Sequence, residues 1–201
     1  VTRRLVQLLV GVGLYGVSIG LLVRSTWGLS PWDVLPAGLQ RHTSMSFGEV
    51  VIVVGLAVLL LWIPLRQRPG VATLVNVICV GGCIDATLRV LPPTESPALK
   101  AALLAGGVLL NGFAGALYLG ARLGSSARDG LMTGLARRTS WSLRAIRTGI
   151  ELTALGVGIA LGGAFGVGTV VYALSIGPLV QWFLPWCQAP LRQAAPPPGV
   201  T

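Results

Sequence analysis

Apolar residues run almost unbroken through six stretches of this chain, at about 5–23, 47–64, 71–90, 99–120, 143–162 and 167–186. A helix needs roughly 20 such residues to cross the hydrocarbon core of a bilayer. Each run therefore predicts one membrane span, the second and sixth with the least length to spare. The runs are continuous rather than alternating, which points to helices and not to the strands of a barrel. Turn chemistry separates them. Pro64 to Pro69 carries Arg66 and Arg68, Pro92-Pro93 to Pro97 carries Glu95, and Gly162-Gly163 through Gly166 is an uncharged break. The first run follows Arg3-Arg4 and could pass for a secretory signal. It is too long for one and has no small-x-small cleavage site in place, so it predicts a permanent span.

The pattern repeats. Displaced by about 96 residues, the second half lies on the first without a gap from Arg3 to Cys187. Gly28, Ser30, Asp33, Gly38, Leu39, Arg41, Thr43, Ser44 and Ser46 fall on Gly124, Ser126, Asp129, Gly134, Leu135, Arg137, Thr139, Ser140 and Ser142. Gly70-Val71-x-Thr73 falls on Gly166-Val167-x-Thr169. Apolar background accounts for Leu on Leu. It does not account for Ser, Asp, Arg and Thr in one order at one offset.

Three spans per copy is an odd number, so the second copy enters the membrane upside down, with a pseudo-two-fold axis in the membrane plane. Transporters use that arrangement and place their site between the halves. The expected fold is all-α and transmembrane: six spans as two inverted three-span repeats, about 3–91 and 99–187. They form one integral membrane domain over 1–187, followed by a Pro-rich tail at 188–201 expected to be disordered.

Each repeat also carries a short polar-to-apolar segment after its first span. Ser30-Pro31-Trp32-Asp33 and Ser126-Ala127-Arg128-Asp129 have the Ser-x-x-acid spacing of a helix start, the first with Pro at the first helical position. They predict short helices over about 31–42 and 127–138. Two readings stand side by side. Ser30, Asp33, Ser126 and Asp129 cap helices lying in the interface; or the helices are re-entrant and their N-termini face a central cavity that Asp33 and Asp129 line, able to carry a proton or bind a cation. Ser46-x-x-Glu49 is a further capping box at the start of the second span.

Composition agrees with the membrane reading. Hydrophobic residues make up 53% and charged residues 10%, too few to cover a water-facing surface. The net charge of +9 is nearly all arginine. These arginines sit at span ends, where topology and lipid headgroups explain them, so nucleic acid is not expected as a partner. With the N-terminus inside, Arg3, Arg4, Arg66, Arg68, Arg122, Arg128, Arg137, Arg138, Arg144 and Arg192 fall on the inner face. Only Arg24, Arg41, Arg89 and Lys100 fall outside. That bias predicts both termini in the cytoplasm.

Charges within spans need an explanation. Arg147 and Glu151 lie four apart on one helical face, where the first repeat has Val51 and Gly55. Such a pair either snorkels as a neutralised unit or contacts a solute or ion. Asp85 and Arg89, also four apart, read as an interfacial salt bridge. Asn76 and Tyr172 are repeat partners at mid-span and are candidate cavity liners, with helix–helix hydrogen bonding as the alternative. Cys79, Cys83 and Cys187 with the single His42 have no metal-ligand spacing, and the cysteines read as small apolar fillers; no metal or cofactor is expected.

At Gly28-Leu-Ser-Pro-Trp-Asp33, Trp62-Ile-Pro-Leu-Arg66, Arg128-Asp-Gly-Leu-Met-Thr-Gly-Leu135, Arg147-Thr-Gly-Ile-Glu151 and Gly166-Val-Gly-Thr169, the chain resembles the YczE-like branch of the YczE/YyaS/YitT membrane proteins. The resemblance implies a bacterial integral protein of the inner membrane. It carries no chemistry over to individual residues.

The leading functional expectation is a small secondary transporter or exporter of an unknown small solute, with its site between the repeats and an acid available for proton coupling. A homodimer is compatible with this size. The site residues expected are Asp33, Asp129, Arg147 and Glu151, with Ser30, Ser126, Asn76 and Tyr172. The alternative is a non-transporting membrane partner that contacts a cytoplasmic enzyme through its basic 122–147 segment; it expects a closed bundle with no polar cavity. A membrane enzyme ranks last, because no nucleophile–base set, HExxH or phosphate loop is present.

Overall fold

The computed structural model describes residues 2–121 and 126–188, and at residues 71 and 72 the backbone alone. The described residues are helical, with no strand among them. In chain order they form α1 (Thr2–Ser25), α2 (Val34–Gln40), α3 (Phe47–Leu61), α4 (Val71–Val90), α5 (Pro97–Ala121), α6 (Ala127–Ala136), α7 (Leu143–Ala160) and α8 (Val167–Cys187). Each long run and each short segment of the sequence pattern has become a helix. The tail from residue 189 onward lies outside the described residues.

Four helices, α1, α4, α5 and α8, are long and apolar enough to cross a membrane. The expectation of six is met only to that extent. The 15 residues of α3 rise about 22 Å at 1.5 Å per residue, short of a hydrocarbon core of roughly 30 Å. It stops at Leu61 because the chain turns through Trp62–Arg66, with Arg66 at φ +52°. α7 has the length but carries Arg144, Arg147 and Glu151. The helix starts follow their caps. Ser46 and Glu49 make the reciprocal capping box of α3, and the Ser126 and Ser142 side chains accept from backbone N–H groups of α6 and α7. The first short helix is shorter than the spacing predicts: residues 31–33 form a turn and regular helix begins only at Val34.

The packing is inside out relative to a water-soluble protein. Leu60, Ile78, Leu109, Leu152 and Leu174 are exposed, while Ser18, Ser25, Asn111, Thr73 and Thr169 are almost fully buried. Outside lies lipid, which gives apolar side chains no reason to hide; polar groups must find partners inward. At the centre α1 packs along α5, with α4 on the other side of α1 and α8 on the other side of α5. Glycines set these distances. A Cβ on Gly16 would lie 2.7 Å from the Val80 carbonyl of α4, and one on Gly11 would lie 2.9 Å from the Tyr118 amide of α5.

The same contacts recur 96 residues along in both partners. Gly11 against Tyr118 matches Gly107 against Leu22; Gly16 against Cys83 matches Gly112 against Leu179; Gly38 against Leu161 matches Gly134 against Leu65. Gly158 receives the Val34 backbone of α2, and Gly130 receives the Trp62 indole, so one junction is glycine on the long-helix side and its counterpart is glycine on the short-helix side. α2 thus lies on α7, and α6 on α3. One pairing breaks the pattern. α3 packs along α4, but among the described residues α7 does not pack along α8.

A Cβ at Gly106, by contrast, meets nothing within 4 Å. Gly106→Ala should raise the thermal midpoint of the detergent-solubilised protein, by up to about 1 kcal/mol of helix propensity. Gly16→Ala should lower it, by roughly 1–3 kcal/mol of overpacking. A Gly16→Ala midpoint at or above the wild-type value would show that the α1–α4 approach is not set by Gly16.

Candidate functional site

A cavity of about 630 Å³ lies where the two halves meet. Ten residues of the first half line it: Tyr15, Ile19, Pro31, Trp32, Asp33, Val51, Gly55, Asn76, Val77 and Val80. Every one of their counterparts 96 positions later lines it too: Asn111, Gly115, Ala127, Arg128, Asp129, Arg147, Glu151, Tyr172, Ala173 and Ile176. The cavity therefore sits on the line about which the repeated contacts are arranged. Its remaining lining comes from the second half alone, Tyr118, Leu119, Ser126, Gly177, Val180 and Gln181.

The floor is a hydrogen-bonded chain across α8, α5 and α1. The Tyr172 hydroxyl donates to Asn111 Oδ1 at 2.7 Å, Asn111 Nδ2 donates to Ser18 Oγ at 2.8 Å, and Ser18 donates to the Tyr15 carbonyl at 2.6 Å. Tyr172 and Asn111 are thereby both cavity liners and cross-helix ties.

The charged groups converge from the short helices and α7. Arg147 Nε donates to Glu151 Oε1 at 3.1 Å, one helical turn on, as the spacing predicts. Arg128 brings a second guanidinium to the same oxygen at 3.7 Å and stands 5.9 Å over the Trp32 ring. Asp33 lies opposite on the first repeat's turn and is 5% exposed. The Ser30 hydroxyl donates to Asp33 Oδ2 at 2.5 Å and accepts from the Asp33 amide. Burial pushes the Asp33 carboxyl above its ordinary range, against the Ser30 hydrogen bond and the nearby Arg128 charge, which hold it down. The Ser126 side chain accepts from the Asp129 amide at 3.1 Å.

Of the residues expected from the sequence, Asp33, Asp129, Arg147, Glu151, Ser126, Asn76 and Tyr172 line this one cavity. Ser30 stands behind it, on Asp33. Arg128, Trp32 and Tyr15 belong to the lining but not to the expected set. Arg128 and Trp32 occupy equivalent places in the repeated motif, and Tyr15 with Asn111 is a polar repeat pair like Asn76 with Tyr172, which was the signal available. The expected Asp85–Arg89 salt bridge does not form among the described residues. Asp85 instead accepts from the Ser46 hydroxyl and from the Gly48 amide at 2.8 Å, tying α4 to the start of α3, where exposed N–H groups are the stronger draw.

Outside the cavity lining, the turn after α1 is sewn to the start of α8 by backbone. Gly168 N–H donates to the Trp27 carbonyl at 2.8 Å, and Leu29 N–H donates to the Ala164 carbonyl. Gly28 makes this approach possible: its φ is +127°, and a Cβ there would lie 2.6 Å from Thr169 Oγ1.

Residues 2–185 match a family described as one of unknown function, DUF6198. The chain belongs to that family. It is 38% identical to an uncharacterized protein of Haemophilus influenzae over 177 residues, covering 88% of this chain and 81% of the relative. It is 31% identical to the uncharacterized membrane protein YczE of Bacillus subtilis, covering 85% and 80%. To the uncharacterized protein YyaS of the same organism it is 26% identical, covering 88% and 90%. No solved structure matches the chain. The family match, the likeness to a membrane protein and the four long apolar helices make this member of DUF6198 a membrane protein.

A carboxyl whose folded-state pKa is raised favours the folded state when protonated. The stabilisation is complete below the ordinary value of 3.8 and is lost as pH rises through the folded value. The wild-type melting temperature should therefore fall as pH rises above 3.8 by more than that of Asp33→Asn, which stays neutral. Parallel melting curves for the two proteins would show that burial does not raise the Asp33 carboxyl.

Proposed function

We propose that this protein is a small secondary transporter or exporter of the bacterial inner membrane, with two inverted three-span halves and a solute site in the cavity between them. In this reading α3 and α7 complete the spans to six, α2 and α6 are re-entrant, and both termini are cytoplasmic. The observation that carries it is the cavity lining: every first-half position in it recurs from the second half. A duplicated carrier with its site on the pseudo-two-fold axis requires that correspondence, and chance packing does not produce it.

The departures from symmetry support the same reading. A carrier must hold its halves in unlike conformations so that the site opens to one side at a time. Here α3 covers α4 while α7 leaves α8 uncovered, and the lining beyond the ten matched pairs comes from the second half. Exchange of those two conformations, by rocking of one half against the other, would open the site to the opposite side. The Asp33–Asp129 pair supplies acids at the place where a proton or cation would bind. A non-transporting assembly partner has no use for such a cavity.

The test is solute flux into or out of proteoliposomes under an imposed proton gradient, with wild type beside Asp129→Asn and Glu151→Gln. Gradient-dependent flux should appear in wild type and fall at least about tenfold in both variants, equivalent to roughly 1.4 kcal/mol. Flux that is indifferent to both substitutions would remove these carboxylates from the site.

A further inference from the structure

A second, apolar groove of about 480 Å³ lies apart from the central cavity, walled by α7, the end of α3 and the short helices α2 and α6. Trp32 stands between the two. α7 gives the groove one helical face, on which Ala145, Gly149, Thr153 and Val157 follow one another a turn apart and are all exposed. A Cβ on Gly149 would meet nothing within 4 Å, where the first repeat has Val53. The Thr139 and Thr153 hydroxyls donate to the Leu135 and Gly149 carbonyls one turn back, so their protons are already spent. An occupant of this stretch must be apolar.

The dimensions narrow the choice. From Ala145 to Val157 the groove runs about 18 Å at 1.5 Å per residue. One leaflet of a hydrocarbon core of roughly 30 Å is about 15 Å deep. The volume spread over that length leaves a cross-section on the order of 27 Å². A helix with its side chains is about 10 Å across and would rest on the rim. A single hydrocarbon chain goes in.

The start of α7 marks the charged end. Arg137 and Arg138 immediately precede Thr139 of the lining, and Arg144 immediately precedes Ala145. Arg66 and Arg68 follow Leu61 of the lining, in a turn whose Leu65 and Gln67 lie against Gly134 of α6. All five arginines are exposed, and none is in a salt bridge among the described residues. Neither 61–70 nor 134–146 contains an acidic residue. Trp141, 68% exposed, is on the wall at this end, and an exposed indole beside a span settles at headgroup level. At the other end Leu35 lies against Gly158, and the arginine beyond it is the single Arg41, near Gly162.

We infer that this groove binds one anionic phospholipid of the phosphatidylglycerol type. An acyl chain lies along α7 and the phosphate diester sits at the Arg137–Arg138 end. Arginine forks suit phosphate oxygens, and a basic pocket between helices suits an anionic head. A choline or ethanolamine head would bring its own cation to a rim that has no carboxylate to receive it. A soluble phosphate would leave the apolar stretch empty. The inference uses the membrane setting alone and is independent of the solute cavity and of transport.

The experiment is native mass spectrometry of the full chain, stripped of lipid in detergent, titrated with dipalmitoyl-phosphatidylglycerol or dipalmitoyl-phosphatidylcholine. One phosphatidylglycerol should be retained, at least about tenfold more tightly than phosphatidylcholine. Arg137→Gln/Arg138→Gln should remove most of that preference. Gly149→Leu, which fills the groove from an open position, should weaken phosphatidylglycerol by at least about fivefold, the burial of a few methylenes. Gly106→Leu, open on α5 and away from the groove, should leave it unchanged. Glycerol phosphate should not compete. Equal retention of the two lipids would overturn the inference, as would phosphatidylglycerol binding unmoved by Gly149→Leu. Competition by glycerol phosphate would assign the arginines to a soluble anion instead. Variants are compared at wild-type elution, with Arg138→Gln or Thr153→Leu replacing a variant that fails to fold.

Discussion

The crossing of α1 and α5 is the contact on which the rest of the molecule is hung. In lipid there is no hydrophobic drive to bring two apolar helices together, so association depends on close van der Waals contact and on polar groups satisfied across the seam. Gly11 and Gly107 let the two backbones approach, and Asn111 bonds Ser18 from within that approach. α4 and α8 then add to the outer sides of the pair through Gly16 and Gly112. A larger residue at Gly11 or Gly107 would separate α1 from α5 and take Ser18 away from the Asn111 amide nitrogen. The same crossing holds Tyr15 and Asn111 side by side and so forms the floor of the cavity.

Because the crossing pairs equivalent helices, whatever lies near it appears twice. The two short helices reach it from opposite repeats and deliver Trp32-Asp33 and Arg128-Asp129 to one cavity. The 96-residue spacing matches places but not side chains: Trp32 stands where the second half has Arg128, and Val51 and Gly55 stand where it has Arg147 and Glu151. The charged layer is therefore on one side of a symmetric frame. In the proposed reading this unequal furnishing makes the two halves of the site chemically distinct.

Close packing also explains where the frame yields. The α1–α2 turn is sewn to the start of α8 by backbone hydrogen bonds through Gly28, a contact that a side chain would prevent. Asp85 fastens α4 to α3 in the first half, while its counterpart Gln181 lines the cavity and leaves α8 free of α7. The two pairs also differ where α3 approaches α4 most closely: Gly48 and Gly55 of α3 have Arg144 and Glu151 as counterparts on α7.

Much of this was determined by the sequence alone. Helix number and order follow from apolar run lengths and the turn residues between them. The helix starts follow from Ser46, Ser126 and Ser142, because caps are local chemistry. The 96-residue offset identified the repeated positions, and with them most of the polar residues of the cavity. Three things were decided only by tertiary structure. The end of α3, the loss of the Asp85–Arg89 pair and the joining of Arg128 to Glu151 each depend on what lies opposite. So does the gap between α7 and α8. A run of hydropathy is the same whether its neighbour touches it or not; distance between helices belongs to the packed molecule, where glycines and a few buried hydrogen bonds set it.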